Sequence, residues 1–199
     1  MKVPNIKTSV AIVGALASFV VVTDYISIKF QKPPVTLQST ELPPPTPKEL
    51  KLRNATETEQ VVLDFIVDVG ITDKNAVATV LGNIKQESRF DTYVCEGGKR
   101  TGYRGCHKGG FGLIQWTTFG RYNGLGKYAR SRNADPNNLQ IQLEYMLTER
   151  PWKRAVETFK TPGKTIDSYM DAAHIWLGWG VHGARTNYAH DYADRLYWG

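Results

Sequence analysis

A glutamate at the end of an apolar helical stripe is the first candidate for chemistry in this sequence. Residues 75–88 contain no proline, and Thr72 or Asp73 can cap a helix that begins there. Glu87 lies on the same face of that helix as four apolar residues, which are Val77, Val80, Leu81 and Ile84. Burial raises the pKa of a carboxyl group and so keeps a general acid protonated near neutral pH. Glu87 is therefore either such a half-buried acid or a solvent-exposed residue at a frayed helix end.

A glycine-rich segment follows one loop downstream, at residues 109–117. Gly110 and Gly112 permit a close backbone approach or a positive φ. Gln115 and Trp116 add an amide and an aromatic ring, and both groups are common in sugar sites. We interpret this segment as a second part of the site that contains Glu87.

The two segments together resemble the phage tail lysozyme family, a relative of the goose-type lysozymes and the lytic transglycosylases. That family carries Gly-Asn-x-x-x-Glu-Ser-x-Phe at a helix end, followed by Gly-Gly-x-Gly-x-x-Gln-Trp. The motif resemblance covers residues 76–121. The matching residues are Gly82, Asn83, Glu87, Ser88, Phe90, Gly109, Gly110, Gly112, Gln115 and Trp116, with Arg121 where the family often has an arginine.

The resemblance implies a mainly α, lysozyme-like domain with a small loop or hairpin as one wall of the cleft. It also implies cleavage of the β-1,4 bond between N-acetylmuramic acid and N-acetylglucosamine in peptidoglycan, with Glu87 as the catalytic acid. No cofactor or metal is expected. The expected substrate contacts are Ser88, Gly110, Gly112, Gln115, Trp116 and Tyr188. A lytic transglycosylase, an inactive wall-binding module tethered to a membrane, and a structural protein remain alternatives.

Two further questions about the site stay open in the sequence. A glycosidase normally needs a second carboxylate, and Asp91 and Glu96 are the nearest in sequence to the proposed acid. We expect Asp91 to turn the chain after the helix, whereas the position of Glu96 is not defined by the pattern. Tyr188 is expected to pack in the core more than to contact the acid, and Trp176 and Trp179 are either sugar platforms or core residues.

Cys95 and Cys106 are the two cysteines of the chain, and they flank a short loop between the two motifs. A disulfide here would close a small loop beside the cleft, and it would require an oxidising compartment such as the periplasm. A zinc site with His107 lacks further ligands, and a Cys-His peptidase lacks a cysteine in an activated position. Two free thiols remain possible, but we predict the disulfide.

The first 58 residues differ in composition from the rest. Residues 1–30 contain an uncharged stretch, and residues 9–28 have about the length that spans a bilayer. We predict a transmembrane signal-anchor, with a cleaved signal peptide as the alternative. Residues 31–58 are proline-rich and are predicted to be a semi-rigid linker. The catalytic domain, residues 59–199, would then lie on the periplasmic or cell-wall side of a membrane, unless the protein belongs to a virion.

From residue 59 onward the pattern is helical. Val61, Val62 and Ile66 are predicted to share a buried face of the first helix. Asn137 is predicted to cap a later helix, and Leu196 is predicted to belong to the last helix.

The net charge of +6 suits an anionic cell wall. Nucleic acid is not an expected partner, because the chain has no run of lysine or arginine and no nucleic-acid-binding motif.

Overall fold

The structure is a computed structural model that describes residues 49–106 and 110–199. In chain order the elements are β1 (Leu50–Leu52), α1 (Glu57–Asp68), α2 (Lys74–Ser88), two short 3-10 turns (Glu96–Gly98 and Tyr103–Gly105), α3 (Phe119–Ser131), α4 (Leu139–Thr148), α5 (Arg150–Lys160), α6 (Ile166–Leu177), α7 (Arg185–Arg195) and β2 (Leu196–Trp198). The described part is thus mainly helical, as predicted, and the loop between α2 and α3 forms one wall of a cleft.

Helix α2 is the central element of the domain. The side chain of Asp73 accepts hydrogen bonds from the backbone N–H groups of Asn75 and Ala76, at 2.9 and 3.0 Å, so Asp73 is the cap. Nearly every side of α2 is buried, which is the pattern of a core helix. Its most extensive partner is α7, and the two backbones approach closely at Gly82, where a Cβ would lie 2.5 Å from the backbone nitrogen of Ala189.

Helix α1 begins at Glu57, two residues before the predicted start, because a capping box fixes its N-terminus. The Thr56 hydroxyl accepts from the Glu59 N–H at 3.2 Å, and the Glu59 carboxylate accepts from the Thr56 N–H at 2.8 Å. Val62 and Ile66 are fully buried, as predicted. The prediction that Val61 is buried is wrong. Val61 is 39% exposed, because it lies outside the stripe of α1 that faces the core.

A small antiparallel sheet joins the two ends of the described part of the chain. Leu50 pairs with Trp198 and Leu52 pairs with Leu196, so β1 falls within residues 31–58, the segment predicted to be the linker. Leu196 belongs to β2 and not to the last helix. Leu50 and Leu52 are both buried while Lys51 between them is exposed, which is the two-residue alternation of a strand.

The cap of α4 is Asn138 and not Asn137. The side-chain oxygen of Asn138 accepts from the backbone N–H of Ile141 at 3.2 Å. Asn137 has another role, since its side-chain oxygen accepts from the backbone N–H of Tyr103 at 2.8 Å and so holds the disulfide loop. Local sequence offers two adjacent asparagines, and only the path of the chain selects between them.

No helix within residues 49–106 and 110–199 is long and apolar enough to cross a membrane. The predicted membrane span at residues 9–28 lies outside the described residues.

Candidate active site

The C-terminal end of α2 presents Glu87 at the edge of a cleft. Helix α2 ends at Ser88, and Arg89 follows in the left-handed conformation with a φ of 54°. The side chain of Glu87 is 15% exposed. The carboxyl group is therefore half-buried and not frayed into solvent, which is the first of the two alternatives that the sequence left open.

Glu87 is paired with an arginine from the start of α7. The Arg185 guanidinium donates a hydrogen bond through Nη2 to Oε1 of Glu87. Burial raises the pKa of Glu87, while the charge and hydrogen bond of Arg185 and the more distant charge of Arg121 lower it. Burial is the largest of these effects, so the pKa of Glu87 lies above its ordinary value of 4.5. A raised pKa is what a general acid needs near neutral pH.

Arg185 is itself held rigidly by the loop that precedes α7. It is 5% exposed, and its Nη1 donates to the backbone carbonyl oxygens of Val181 at 3.1 Å and of His182 at 2.7 Å. The guanidinium carbon lies 4.5 Å from the centre of the Trp179 ring, in a cation–π contact. Glu87 therefore faces a fixed positive charge.

The glycine-rich turn packs against the end of α2. Ser88 donates its hydroxyl to the backbone carbonyl of Leu113 at 2.8 Å, which ties the two sequence motifs together. Gly112 has a φ of 70°, and a side chain at this position would also overlap the amide of Gln142. The side-chain amide of Gln115 donates to the carbonyl oxygen of Gly112 at 2.9 Å. The turn is thus shaped by backbone geometry that tolerates few substitutions.

The cleft beside Glu87 has a volume of about 700 Å³. Its walls are the end of α2, the disulfide loop and the glycine-rich turn. Ser88, Gly110 and Gln115 line it together with Glu87, so four of the predicted site residues meet at one place. The walls carry many polar groups, which suits a hydrophilic ligand such as a glycan strand.

Two further carboxylates line the same cleft. Asp91 accepts from the backbone N–H of Tyr93 at 2.9 Å and pairs with Arg100, so it turns the chain after α2, as the sequence predicted. Glu96 accepts from the backbone N–H of Gly110 at 3.2 Å. Glu96 lacks an ion-pair partner among the described residues.

Trp116 is fully buried, so in this structure its ring has no face open to a sugar. Its indole N–H donates to Oε2 of Glu149 at 2.9 Å, and Arg121 binds both oxygens of Glu149, at 2.7 and 2.8 Å. Trp116 was an expected substrate contact, and the structure gives it a structural role instead. Glu149 is a buried residue that sequence reasoning missed, because it lies 33 residues from Trp116.

The other aromatic candidates lie away from the cleft walls. Trp176 is fully buried and packs edge-on against Trp152, with ring centres 4.9 Å apart. Trp179 is partly buried beneath Arg185. Tyr188 is partly buried on α7, near the point where Gly82 of α2 meets that helix, and it is not among the residues that line the cleft.

The predicted disulfide between Cys95 and Cys106 is confirmed, with 5.6 Å between the two Cα atoms. Cys95 lines the cleft and pairs by a β-bridge with Phe111, so the disulfide anchors the cleft wall to the glycine-rich turn. Residues 107–109, which include His107 and Gly109, lie outside the described part of the chain. Within that part no three His, Cys, Asp or Glu side chains are grouped to hold a metal ion.

A mainly helical domain with a half-buried glutamate at the edge of a polar cleft fits a lysozyme-like fold. A model of the phage tail lysozyme family matches residues 57–197, and the chain belongs to that family. The resemblance found in the motifs is thereby confirmed. Membership suggests a lysozyme-like hydrolase of peptidoglycan and an association with the phage particle. No curated protein gave a significant match.

Proposed function

We propose that this protein hydrolyses the β-1,4 bond between N-acetylmuramic acid and N-acetylglucosamine, with Glu87 as the general acid. The observation that carries this proposal is the position of Glu87, which is half-buried, has a raised pKa and lies at the edge of a polar cleft. In the first step its proton passes to the glycosidic oxygen while the bond from that oxygen to C1 of the muramic acid breaks. Glu87 is left as a carboxylate.

Water then attacks C1 and its proton passes to the Glu87 carboxylate, which restores the acid. A second carboxylate must orient that water or stabilise the positive charge that develops on the sugar. Asp91 and Glu96 both line the cleft. Glu96 is the better candidate, because Asp91 is already engaged with Arg100. Gln115 and the backbone around Gly110 and Gly112 are proposed to contact the sugars.

Lytic transglycosylation is the second candidate function, because that reaction does not require a second carboxylate beside Glu87. In that reaction the C6 hydroxyl of the muramic acid attacks C1 in place of water and gives its proton to the Glu87 carboxylate. Mass analysis of purified peptidoglycan digested by the full chain separates the two functions. Hydrolysis gives reducing ends, whereas transglycosylation gives anhydro ends that are lighter by one water. Intact glycan strands after prolonged incubation would reject both functions and favour an inactive wall-binding or structural protein.

We also propose that residues 9–28 hold the protein in a membrane, with the catalytic domain on the cell-wall side. The composition of that segment supports the proposal, because residues 9–23 carry no charge and Asp24 is the one charged residue within residues 9–28. If residues 31–48 are extended, they could place the domain up to about 50 Å from the bilayer. Cell fractionation tests this proposal: full-length protein in the membrane fraction supports it, and mature protein that starts after a cleavage site would contradict it.

A further inference from the structure

The contacts of Arg185 go beyond what is needed to cap or pack α7. Three features meet in this one buried side chain: a hydrogen bond to the carboxyl group of Glu87, two hydrogen bonds to carbonyl oxygens of the preceding loop, and a cation–π contact with Trp179. Its Nε is buried without a hydrogen-bond partner among the described residues. Leaving such a donor unpaired costs free energy, which indicates that the guanidinium is oriented for its other contacts.

The start of α7 is also fixed directly to the end of α2. The side-chain oxygen of Gln86 accepts from the backbone N–H of Ala184 at 2.9 Å. Gln86 and Glu87 are neighbours on α2, and Ala184 is the N-cap that precedes Arg185, the first residue of α7, so two adjacent contacts join the same two chain segments. This double attachment sets the distance between Glu87 and the guanidinium.

We propose that Arg185 is a positioning residue for Glu87, which holds the carboxyl group at the cleft and stabilises the carboxylate that forms when Glu87 gives up its proton. This inference rests on the proposed function. A guanidinium forms an ion pair with a carboxylate but only a hydrogen bond with a protonated carboxyl group, so Arg185 interacts more strongly with Glu87 after proton transfer than before it. Interactions that strengthen toward the transition state are those that accelerate the reaction.

The balance between Arg185 and burial sets the pH range of activity. Burial raises the pKa of Glu87 and Arg185 lowers it, and the acid must be protonated to act. Activity is therefore present below the pKa of Glu87 and is lost as the pH rises through it. The other charged groups that act on Glu87 or line its cleft are Arg121 from α3 and Arg89, Asp91, Glu96 and Arg100 from the cleft wall.

The test is the pH profile of Arg185→Gln, measured with the full chain on soluble glycan strands at low substrate concentration. Glutamine removes the charge and keeps a planar amide that can donate. We expect the alkaline limb to move upward by about one to three pH units, since an adjacent arginine lowers a carboxyl pKa by about that amount. The plateau rate should fall by about tenfold to a hundredfold, the value of one hydrogen bond to a charged group. Arg185→Lys keeps the positive charge, so its alkaline limb should lie close to that of the unaltered chain.

Arg195→Gln is the matched control. Arg195 lies on the same helix, stacks on an aromatic ring at 4.9 Å and bonds a carboxylate, Glu59, at 3.4 Å, but it does not line the cleft. Its removal should leave the alkaline limb unchanged. A purely structural role for Arg185 would lower the rate at all pH values without moving the limb, and that result overturns the inference.

A second measurement covers the case in which Arg185→Gln does not fold. In the unaltered chain, the side-chain nitrogen resonances of Arg185 should titrate with the same midpoint as the alkaline limb of activity. Resonances that do not change across that limb would overturn the inference. If the unaltered chain does not lyse the wall, the proposed function as a whole is rejected. If Arg185→Gln lyses the wall and the alkaline limb of its pH profile is unchanged, only the role of Arg185 is rejected.

Discussion

Replacing Gly82 with alanine should force α2 and α7 apart. A Cβ at this position would lie 2.5 Å from the backbone nitrogen of Ala189, 2.8 Å from its Cα and 3.0 Å from the carbonyl carbon of Tyr188. All three atoms belong to the backbone of α7, so no side-chain rotation can relieve the overlap. Helix α7 must move, and Arg185 moves with it.

The magnitude follows from two opposing effects. Overpacking in a core costs about 1–3 kcal/mol, and the rigid backbone at Gly82 places this case at the upper end of that range. Alanine in a helix is more favourable than glycine by about 1 kcal/mol. The net loss of stability is therefore about 2 kcal/mol, which corresponds to a fall in melting temperature of about 4–8 °C for a domain of this size.

Thermal melting of Gly82→Ala beside Gly120→Ala measures this effect. Gly120 is also helical, and no atom lies within 4 Å of a Cβ built on it, so its replacement should leave stability unchanged or raise it slightly. Lysis by Gly82→Ala should also fall, because Arg185 is displaced from Glu87. A Gly82→Ala protein that melts at the temperature of the unaltered chain would refute the close approach of the two helices.

Three other substitutions test separate parts of the structure. Cys106→Ser opens an 11-residue loop and should cost about 2–3 kcal/mol of stability and reduce lysis, as followed by melting and wall turbidity. Burial raises the pKa of Glu59, but hydrogen bonds to its carboxylate outweigh burial, so the pKa lies below 4.5 in the folded protein. The ionised Glu59 therefore stabilises the fold above pH 4.5. This stabilisation is lost as the pH falls through the pKa of the folded state. Glu59→Gln should therefore destabilise by about 2 kcal/mol or more at pH 7, with a smaller difference from the unaltered chain near pH 3; an equal difference at both pH values argues against this. Trp116→Phe removes one donor from Glu149 and should cost about 1–3 kcal/mol, whereas unchanged melting would contradict a structural role.

Local sequence was sufficient to predict the helix that carries Glu87. The cap at Asp73 and the apolar stripe both act within a few residues, and each has a direct physical meaning in the sequence. The disulfide between Cys95 and Cys106 was predictable for a similar reason, since the two cysteines flank one short loop.

The parts of the site that sequence reasoning missed depend on contacts between distant residues. Arg185 lies 98 residues from Glu87, and only the packing of α7 on α2 brings the two together. An aromatic residue in a glycine-rich turn can face either the solvent or the core, and Trp116 faces the core because Glu149 accepts its N–H there.

The role of Glu87 is the central claim, and Glu87→Gln tests it most directly. Glutamine keeps the shape of the side chain and an oxygen that can accept from Arg185, but it has no proton to donate. Arg185 also keeps its bonds to Val181 and His182, so the fold should survive. Asp91→Asn is the matched control, because it makes the same carboxyl-to-amide change in the same cleft.

The measurement is the initial rate of lysis of purified peptidoglycan by each variant, beside its melting temperature. We expect Glu87→Gln to lose about 10²–10⁴ in rate, the usual value of general acid catalysis, and to melt within about 3 °C of the unaltered chain. Asp91→Asn should retain most of the rate. A well-folded Glu87→Gln protein that lyses the wall at a near-normal rate would contradict the account and direct the search for the acid to Glu96.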